Sequence, residues 1–247
     1  MSKKLPEFIR KNFELAASDF DMIQSGDRIM VGISGGVDSF VLLKVLSGRK
    51  IYVPSDISIL AVYIDLGFFG DNTTHLEQLE AYLKNNNYQF HIERTDIGVY
   101  AHSEKNRKNP CFLCSRWRRK KMIELADEFN CNKIALGHHK DDVIETLLLN
   151  IFFSREISTM MPNQELFKGK FHIIRPLIYL WERKIKQYAE LNDFPAFENP
   201  CPSATNSKRI FIKKLLAELQ RENRQIKENI FKSLRHVKGD YLWEGKS

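Results

Sequence analysis

Residues 28–39 read RIMVGISGGVDS, and this stretch decides the fold. Its first six residues form a short apolar run that ends at a glycine turn, the pattern of a parallel strand buried on both faces. The run breaks into Ser34-Gly35-Gly36-Val37-Asp38-Ser39, and residues 39–47 continue at helical spacing. A helix that follows such a turn aims its free amides and the positive end of its dipole at the turn. The two glycines let a ligand approach the backbone closely. The expected product is an anion cradle suited to phosphate or pyrophosphate. It is not a Walker A loop, because no Gly-Lys-Ser/Thr follows, and it is not the G-x-G-x-x-G dinucleotide loop.

Working outward, residues 6–24 predict an amphipathic helix, with Phe8, Ile9, Phe13, Ala16, Phe20 and Ile23 at helical spacing. After the cradle come a strand at 57–65, a helix at 73–86 and a strand at 88–95. Residues 96–114 are polar and basic and read as an insertion holding Cys111-Phe112-Leu113-Cys114. A helix at 115–129, a strand at 131–137, a helix at 141–153 and a fifth strand at 171–177 follow. Helices at 181–192 and 206–235 close the chain, with Gly239 as a stop. This alternation predicts an α/β fold, an open doubly wound parallel sheet of about five strands. The expected divisions are an N-terminal helical segment (1–27), a nucleotide-type α/β domain (28–200) and a basic helical extension (201–247).

Composition narrows the function. With 43% hydrophobic and 28% charged residues over 247 positions, collagen-like and disordered classes are excluded. No apolar run is long enough to span a bilayer, and the first dozen residues lack an apolar signal core, so a cytoplasmic protein is expected. The formal charge of +7 is uneven: residues 101–125 carry +6, residues 201–238 carry +7, and the rest of the chain is −6. Two basic blocks on an acidic body predict a polyanionic partner. Each block also fits a solvated helix face.

Ligands of such sheets sit beyond the carboxyl ends of the strands. The first strand end, SGGVDS, resembles the PP-loop of the N-type ATP pyrophosphatases, which split ATP into AMP and pyrophosphate. The resemblance implies that Ser34, Gly35, Gly36, Asp38 and Ser39 hold pyrophosphate, with Asp38 placing Mg²⁺. It also implies that Tyr63 and Ile64, ending the second strand, meet the adenine. Asp65 reads equally as a turn residue. The fourth strand ends in Gly137-His138-His139-Lys140-Asp141-Asp142 with Glu145-Thr146 beyond. Carboxylates at a helix start are often caps, but the string is similar to the second motif of tRNA-modifying PP-loop enzymes. In that reading Gly137, His138 and Asp141 face the nucleotide, and Asp142 orients the loop or holds the metal.

Four cysteines are too few for a disulfide scaffold. The C-x-x-C pair at 111 and 114 spaces two thiols for one metal or cluster corner. Cys131, between helix and strand, reads as buried structure, and Cys201 sits in a rigid Asn-Pro-Cys-Pro loop at the active end. Three thiolates leave one place of a four-ligand cluster open to an external sulfide. The segments DFDMIQSGDRIMVGISGG, NPCFLCSRWRRKKM, IALGHHKDDVIETLLLNIFF and IIRPLIY closely resemble the tRNA 2-thiocytidine synthetases, the TtcA family. That resemblance implies an oxygen-sensitive [4Fe-4S] cluster on Cys111, Cys114 and Cys201. It further implies ATP with Mg²⁺, tRNA as substrate, a cysteine desulfurase as sulfur supply and a homodimer. The chain departs from the family in Val37, where lysine is usual, and in Ala204, where a second late cysteine is usual.

The chemistry expected is transfer of AMP to the C2 oxygen of an anticodon-loop cytidine, followed by replacement of that oxygen with sulfur. Arg116, Arg118, Arg119 and Lys120, with Lys208 and Arg209 of the second block, are the candidate RNA contacts. The alternatives are another PP-loop modifier, making 2-thiouridine or lysidine, and a non-catalytic iron–sulfur RNA-binding or redox module.

Overall fold

The computed structural model describes residues 4–48, 54, 56–106, 109–195, 201–203 and 208–242. A six-stranded sheet runs in the order β3-β2-β1-β4-β6-β5. Its strands are β1 (Arg28–Ile33), β2 (Ser58–Asp65), β3 (Phe90–Arg94), β4 (Lys133–Ala135), β5 (Asn163–Leu166) and β6 (Phe171–Ile174). The first four and β6 are parallel, and β5 pairs antiparallel to β6 at the edge. The helices are α1 (Lys4–Asp19), α2 (Val37–Leu46), α3 (Thr74–Asn85), α4 (Ile97–Ala101), α5 (Pro110–Glu128), α6 (Lys140–Phe153), α7 (Glu182–Ala189), α8 (Lys208–Glu222) and α9 (Ile226–Ser233).

β1 is buried at every position after Arg28, which is why its sequence is a continuous apolar run rather than an alternating one. Alternate residues serve the two faces. Met30, Val62, Ile134 and Ile173 pack against Leu125 and Ala126 of α5. On the other side α2 packs on β1 and against α1 and α7. A polar clip fixes the lower ends of the strands: Asn132 donates to buried Asp27 at 2.7 Å and accepts from the Arg28 amide at 2.8 Å. The chain leaves β1 for β2 on one side, while β4 lies on the other. The crevice of the fold therefore opens above β1 and β4.

Several expectations are corrected. The sheet has a sixth, edge strand, β5, that the sequence does not signal, because Asn-Gln-Glu-Leu has no apolar alternation; its polar character suits an edge. The α1 helix ends at Asp19 rather than near 24, because Asp21 takes a left-handed φ of 46° and the Met22 amide returns to Ala17. The expected helix over 206–235 is two helices. The Asn223 side chain accepts the Gln225 amide at 2.9 Å and turns the chain between them. The stretch 96–114 is not a loop insertion throughout: α4 lies within it and α5 begins at Pro110, so the C-x-x-C pair is helical.

The contacts divide the chain into two compact units. One comprises 1–139 with 161–206, so the N-terminal helix is part of it rather than a separate segment. The other comprises 140–160 with 207–247, joining α6 to the C-terminal helices. Among the described residues no helix is long and apolar enough to cross a membrane.

Candidate active site

The cradle after β1 is closed by Ser39. Its hydroxyl donates to the Gly36 carbonyl at 2.8 Å and accepts from the Ser34 amide at 3.2 Å, while the Gly36 amide reaches Ser34 Oγ at 3.3 Å. Gly35 holds a φ of +83°, which turns the loop back over the start of α2. Gly36 caps α2 without a side-chain bond, so the amides of the first turn keep their dipole pointed outward.

The end of β4 rests directly on this loop. A Cβ on Gly137 would lie 3.0 Å from the Asp38 carbonyl group and from the Ser39 amide, so a side chain here would press the loop backbone away. The two histidines after it divide the work. His139 is buried with Nε2 3.9 Å from Asp38 Oδ2, a contact the sequence reading did not single out. His138, expected to face nucleotide, accepts from Arg175 Nε at 3.2 Å through Nδ1. Arg175, in the IIRPL segment after β6, also donates to the Met161 carbonyl. Burial, and then the like charge of Arg119, pull its guanidinium down to about 10.

At the end of β2, Tyr63 and Ile64 are buried. Burial, then the Asp65 charge, push the Tyr63 hydroxyl up to about 12, against a smaller pull from Arg118. Asp65 serves the turn: its Oδ1 accepts the Gly67 amide at 3.0 Å, and its carbonyl accepts the Thr95 hydroxyl at 2.6 Å.

The thiols meet at the start of α5. Asn109 caps the helix by accepting from the Cys111 and Phe112 amides, and Pro110 occupies the first position, where its missing N–H costs nothing. Because α5 joins β3 to β4, its start lies at the carboxyl end of the strands. Burial pushes the Cys114 thiol up, Arg118 pulls it down, and Cys201 and Cys111 push it further up. Cys111 and Cys201 thus lie within electrostatic reach of Cys114, and all three are free thiols. The Cys201 loop is tied in by His102. Its Nδ1 donates to the Gly98 carbonyl at 2.9 Å, and in the neutral ring Nε2 then accepts from Ser203 Oγ at 3.0 Å and lies 3.9 Å from Cys201 Sγ. Residues 196–200 and 204–207, Ala204 included, lie outside the described residues. Cys131 is 3% exposed in the core, as a structural cysteine should be.

Three thiols fit an iron–sulfur cube, in which each thiolate holds its own iron and the ligands need not close on one point. Among the described residues no three His, Cys, Asp or Glu side chains close on a single ion.

The candidate RNA contacts separate. Arg116, Arg119 and Lys120 are exposed on α5, whereas Arg118 turns inward. In the second unit, Lys208 lies over the Phe153 ring at 4.4 Å. Arg209 engages Asp142 at 3.4 Å and Glu145 at 3.3 Å, and Lys227 engages Asp141 at 2.9 Å. Asp141 and Asp142, expected at the nucleotide, thus have cationic partners on α8 and α9, and Arg209, expected at RNA, is held by carboxylates.

A glycine cradle and a Gly-His-His strand end across a sheet crevice define a PP-loop nucleotide-binding protein, and the PP-loop domain family matches residues 4–219. Two curated relatives are tRNA-cytidine(32) 2-sulfurtransferases. That of Geobacter sulfurreducens is 37% identical, covering 92% of this chain and 88% of the relative. That of Nitrosospira multiformis is 37% identical, covering 98% and 80%. The chain belongs to the PP-loop family and, within it, to the tRNA-cytidine 2-sulfurtransferases. A solved structure, the U34-tRNA thiolase NcsA of Methanococcus maripaludis with its [4Fe-4S] cluster, shares the fold at a TM-score of 0.74. Its identity is 21%, over 95% of this chain and 81% of that one.

Proposed function

We propose that the chain is an ATP-dependent tRNA-cytidine 2-sulfurtransferase of the cytoplasm that converts an anticodon-loop cytidine to 2-thiocytidine. The observation that carries this reading is the shared wall of the site. Arg118 stands one helical turn from Cys114, and its charge also reaches Tyr63, whose strand neighbour Ile33 leads into the cradle.

Cytosine C2 is a poor electrophile, because its carbonyl is conjugated with ring nitrogens and its oxygen leaves badly. Joining that oxygen to the α-phosphorus of ATP, with release of pyrophosphate, cures both defects. The amides of Gly35, Val37 and Asp38, at the start of α2, take the charge that develops on the departing pyrophosphate. Asp38, held beside His139, is the carboxylate offered to Mg²⁺. The backbone of Tyr63 and Ile64 lines the adenine side. Cys111, Cys114 and Cys201 are the ligands for a [4Fe-4S] group, which when bound supplies the sulfur nucleophile that displaces AMP from C2. The exposed cations Arg116, Arg119 and Lys120 neutralise tRNA phosphates beside the target base. A cysteine desulfurase as sulfur supply and a homodimer complete the reading, supported by the family resemblance.

Protein purified and loaded with iron anaerobically is mixed with ATP, Mg²⁺, sulfide and tRNA. The expected results are tRNA-dependent pyrophosphate release and 2-thiocytidine in the digested tRNA. RNA binding without pyrophosphate release would reduce the chain to a binding module. 2-Thiouridine as product, or lysidine in a parallel mixture supplied with free lysine, would move it to a neighbouring activity.

A further inference from the structure

Among the described cations of its block, Arg118 is the one whose guanidinium Nε is sealed from solvent. The residues Cys114, Arg118, Met122 and Leu125 form a single stripe on α5, spaced by four, four and three. The lower end of that stripe is fixed: Met122 Sδ lies 3.3 Å from where a Cβ on Gly32 would stand, and Leu125 belongs to the core. At about 1.5 Å per residue, Arg118 stands about 6 Å and Cys114 about 12 Å farther toward the helix start. At about 3.3 Å per strand residue, those heights match positions about two and four residues beyond Gly32. Both side chains therefore stand at the level of the cradle, above the end of β1.

The guanidinium at that height is incomplete. Arg118 Nε is sealed from solvent and has no hydrogen-bond partner among the described residues. A buried polar group in that condition is rare and commonly marks an anion or other group that the protein is built to receive. Among the described residues, the groups that act on the Arg118 charge are the Cys114 thiol and the Tyr63 hydroxyl, neither of them a carboxylate. Cys114, the thiol that acts on it, has Cys111 and Cys201 within electrostatic reach, and as thiolates the three bring negative charge to this side of the site. Burial of such charge is tolerated where a cation is paired with it.

We propose that Arg118 is the internal counter-cation of the thiol trio and that its Nε–H holds the external sulfide, an anionic hydrosulfide, that the site accepts. The proposal rests on the sulfurtransferase reading and deepens it: it names the residue that binds the second substrate. It also separates Arg118 from Arg116 and Arg119 on the same helix, which serve RNA. Arginine suits the task because its planar fork keeps its charge and presents several donors at once.

The test uses wild type, Arg118→Gln and Arg118→Lys, each reconstituted anaerobically with iron and sulfide to the full cluster, desalted, and then titrated with sodium sulfide. Iron per chain, visible absorption and paramagnetic resonance are read, so no turnover is needed. Arg118→Gln is expected to carry the wild-type iron content but to need at least about tenfold more sulfide to reach half of the spectral change. Arg118→Lys is expected to fall between, since a point ammonium does not reproduce the Nε donor. If Arg118→Gln takes up no iron although its melting matches wild type, Arg118 serves iron uptake rather than the external sulfide, and the proposal is overturned. An unchanged sulfide midpoint in iron-loaded Arg118→Gln overturns it. So does an unchanged midpoint with a raised KM for ATP, which would hand Arg118 to the nucleotide. Should Arg118→Gln not fold, an unchanged midpoint in Arg118→Lys overturns the proposal instead. A wild-type chain that loads no iron sinks the sulfurtransferase reading by a separate measurement and takes this proposal with it.

Discussion

The stretch 101–125 carries a net charge of +6 and the stretch 201–238 carries +7. In the first, Arg116, Arg119 and Lys120 stay exposed on α5, and Arg118 turns in toward the thiols. In the second, Arg209 and Lys213 reach Glu145, Arg209 also reaches Asp142, and Lys227 reaches Asp141. The acids of α6 are part of the −6 carried by the remainder of the chain. Similar excess charge is therefore disposed in two ways: one block leaves Arg116, Arg119 and Lys120 exposed, and the other sets cations against the buried acids of α6. Net charge along a sequence locates cations but not the carboxylates that folding brings to them.

The largest effect is expected where the first block surrounds sulfur. Cys114→Ala should abolish 2-thiocytidine formation and most iron binding while leaving the melting temperature within a few degrees. Cys114 is half-buried on the rim rather than in the core, so little packing is lost. Nucleoside mass spectrometry, iron analysis and a thermal melt decide it. Residual thiolation near the wild-type level would break the claim that this block is organised around the cysteines.

The second block should answer to stability instead. Glu145 is 2% exposed and faces Arg209 and Lys213, both partly solvated. Replacing it by Gln leaves two cations facing a neutral amide. A loss of about 1–3 kcal/mol is expected in denaturant unfolding, discounted from a fully buried pair because the partners reach water. No change in unfolding would show the second block to be solvated after all, and the comparison would fail on that side.

Much of this was legible in the sequence. The strand–cradle unit at 28–39 and the strand end at 133–139 came from an unbroken apolar run and glycines at fixed places, signals local to the chain. The edge strand β5 was not legible, since its residues are polar and its partner is fixed by a hairpin whose Phe167, Lys168 and Gly169 all hold positive φ. The helical start of α5 was hidden because its first turn carries cysteines and few apolar residues, although Asn109-Pro110 was a readable start signal. His139 and Arg175 escaped because each acts through a residue remote in sequence, Asp38 and His138. The fates of Asp141, Asp142 and Arg209 depended on pairings across more than sixty positions, which no spacing rule reveals.

A smaller effect sharpens the outward face. Arg116→Glu combined with Lys120→Glu should weaken tRNA binding several-fold and reduce the slope of log affinity against log salt by about two, one per lost phosphate contact. Lys213→Gln, within the second block, should leave that slope unchanged. Filter binding at a series of salt concentrations reads both. Equal slopes in the two variants would mean that both blocks face RNA alike.

The smallest effect concerns pH and belongs to the second block alone. Glu228 accepts from Lys140 at 2.7 Å, and Lys232 lies 3.5 Å from it. Burial pushes its carboxyl up, but the Lys140 hydrogen bond and charge, with Lys232, outweigh this and leave it below the ordinary glutamate value. A carboxyl lowered by folding adds stability above its unfolded value and loses it as the pH falls through the folded one. Glu228→Gln should therefore cost about 0.5–1 kcal/mol at neutral pH, the range of partly exposed pairs. The difference from wild type should shrink as the pH falls below about 4.5, the unperturbed glutamate range. A difference that grew in acid would mean that Lys140 finds another partner. The second block would then be less settled on its acids than these distances imply.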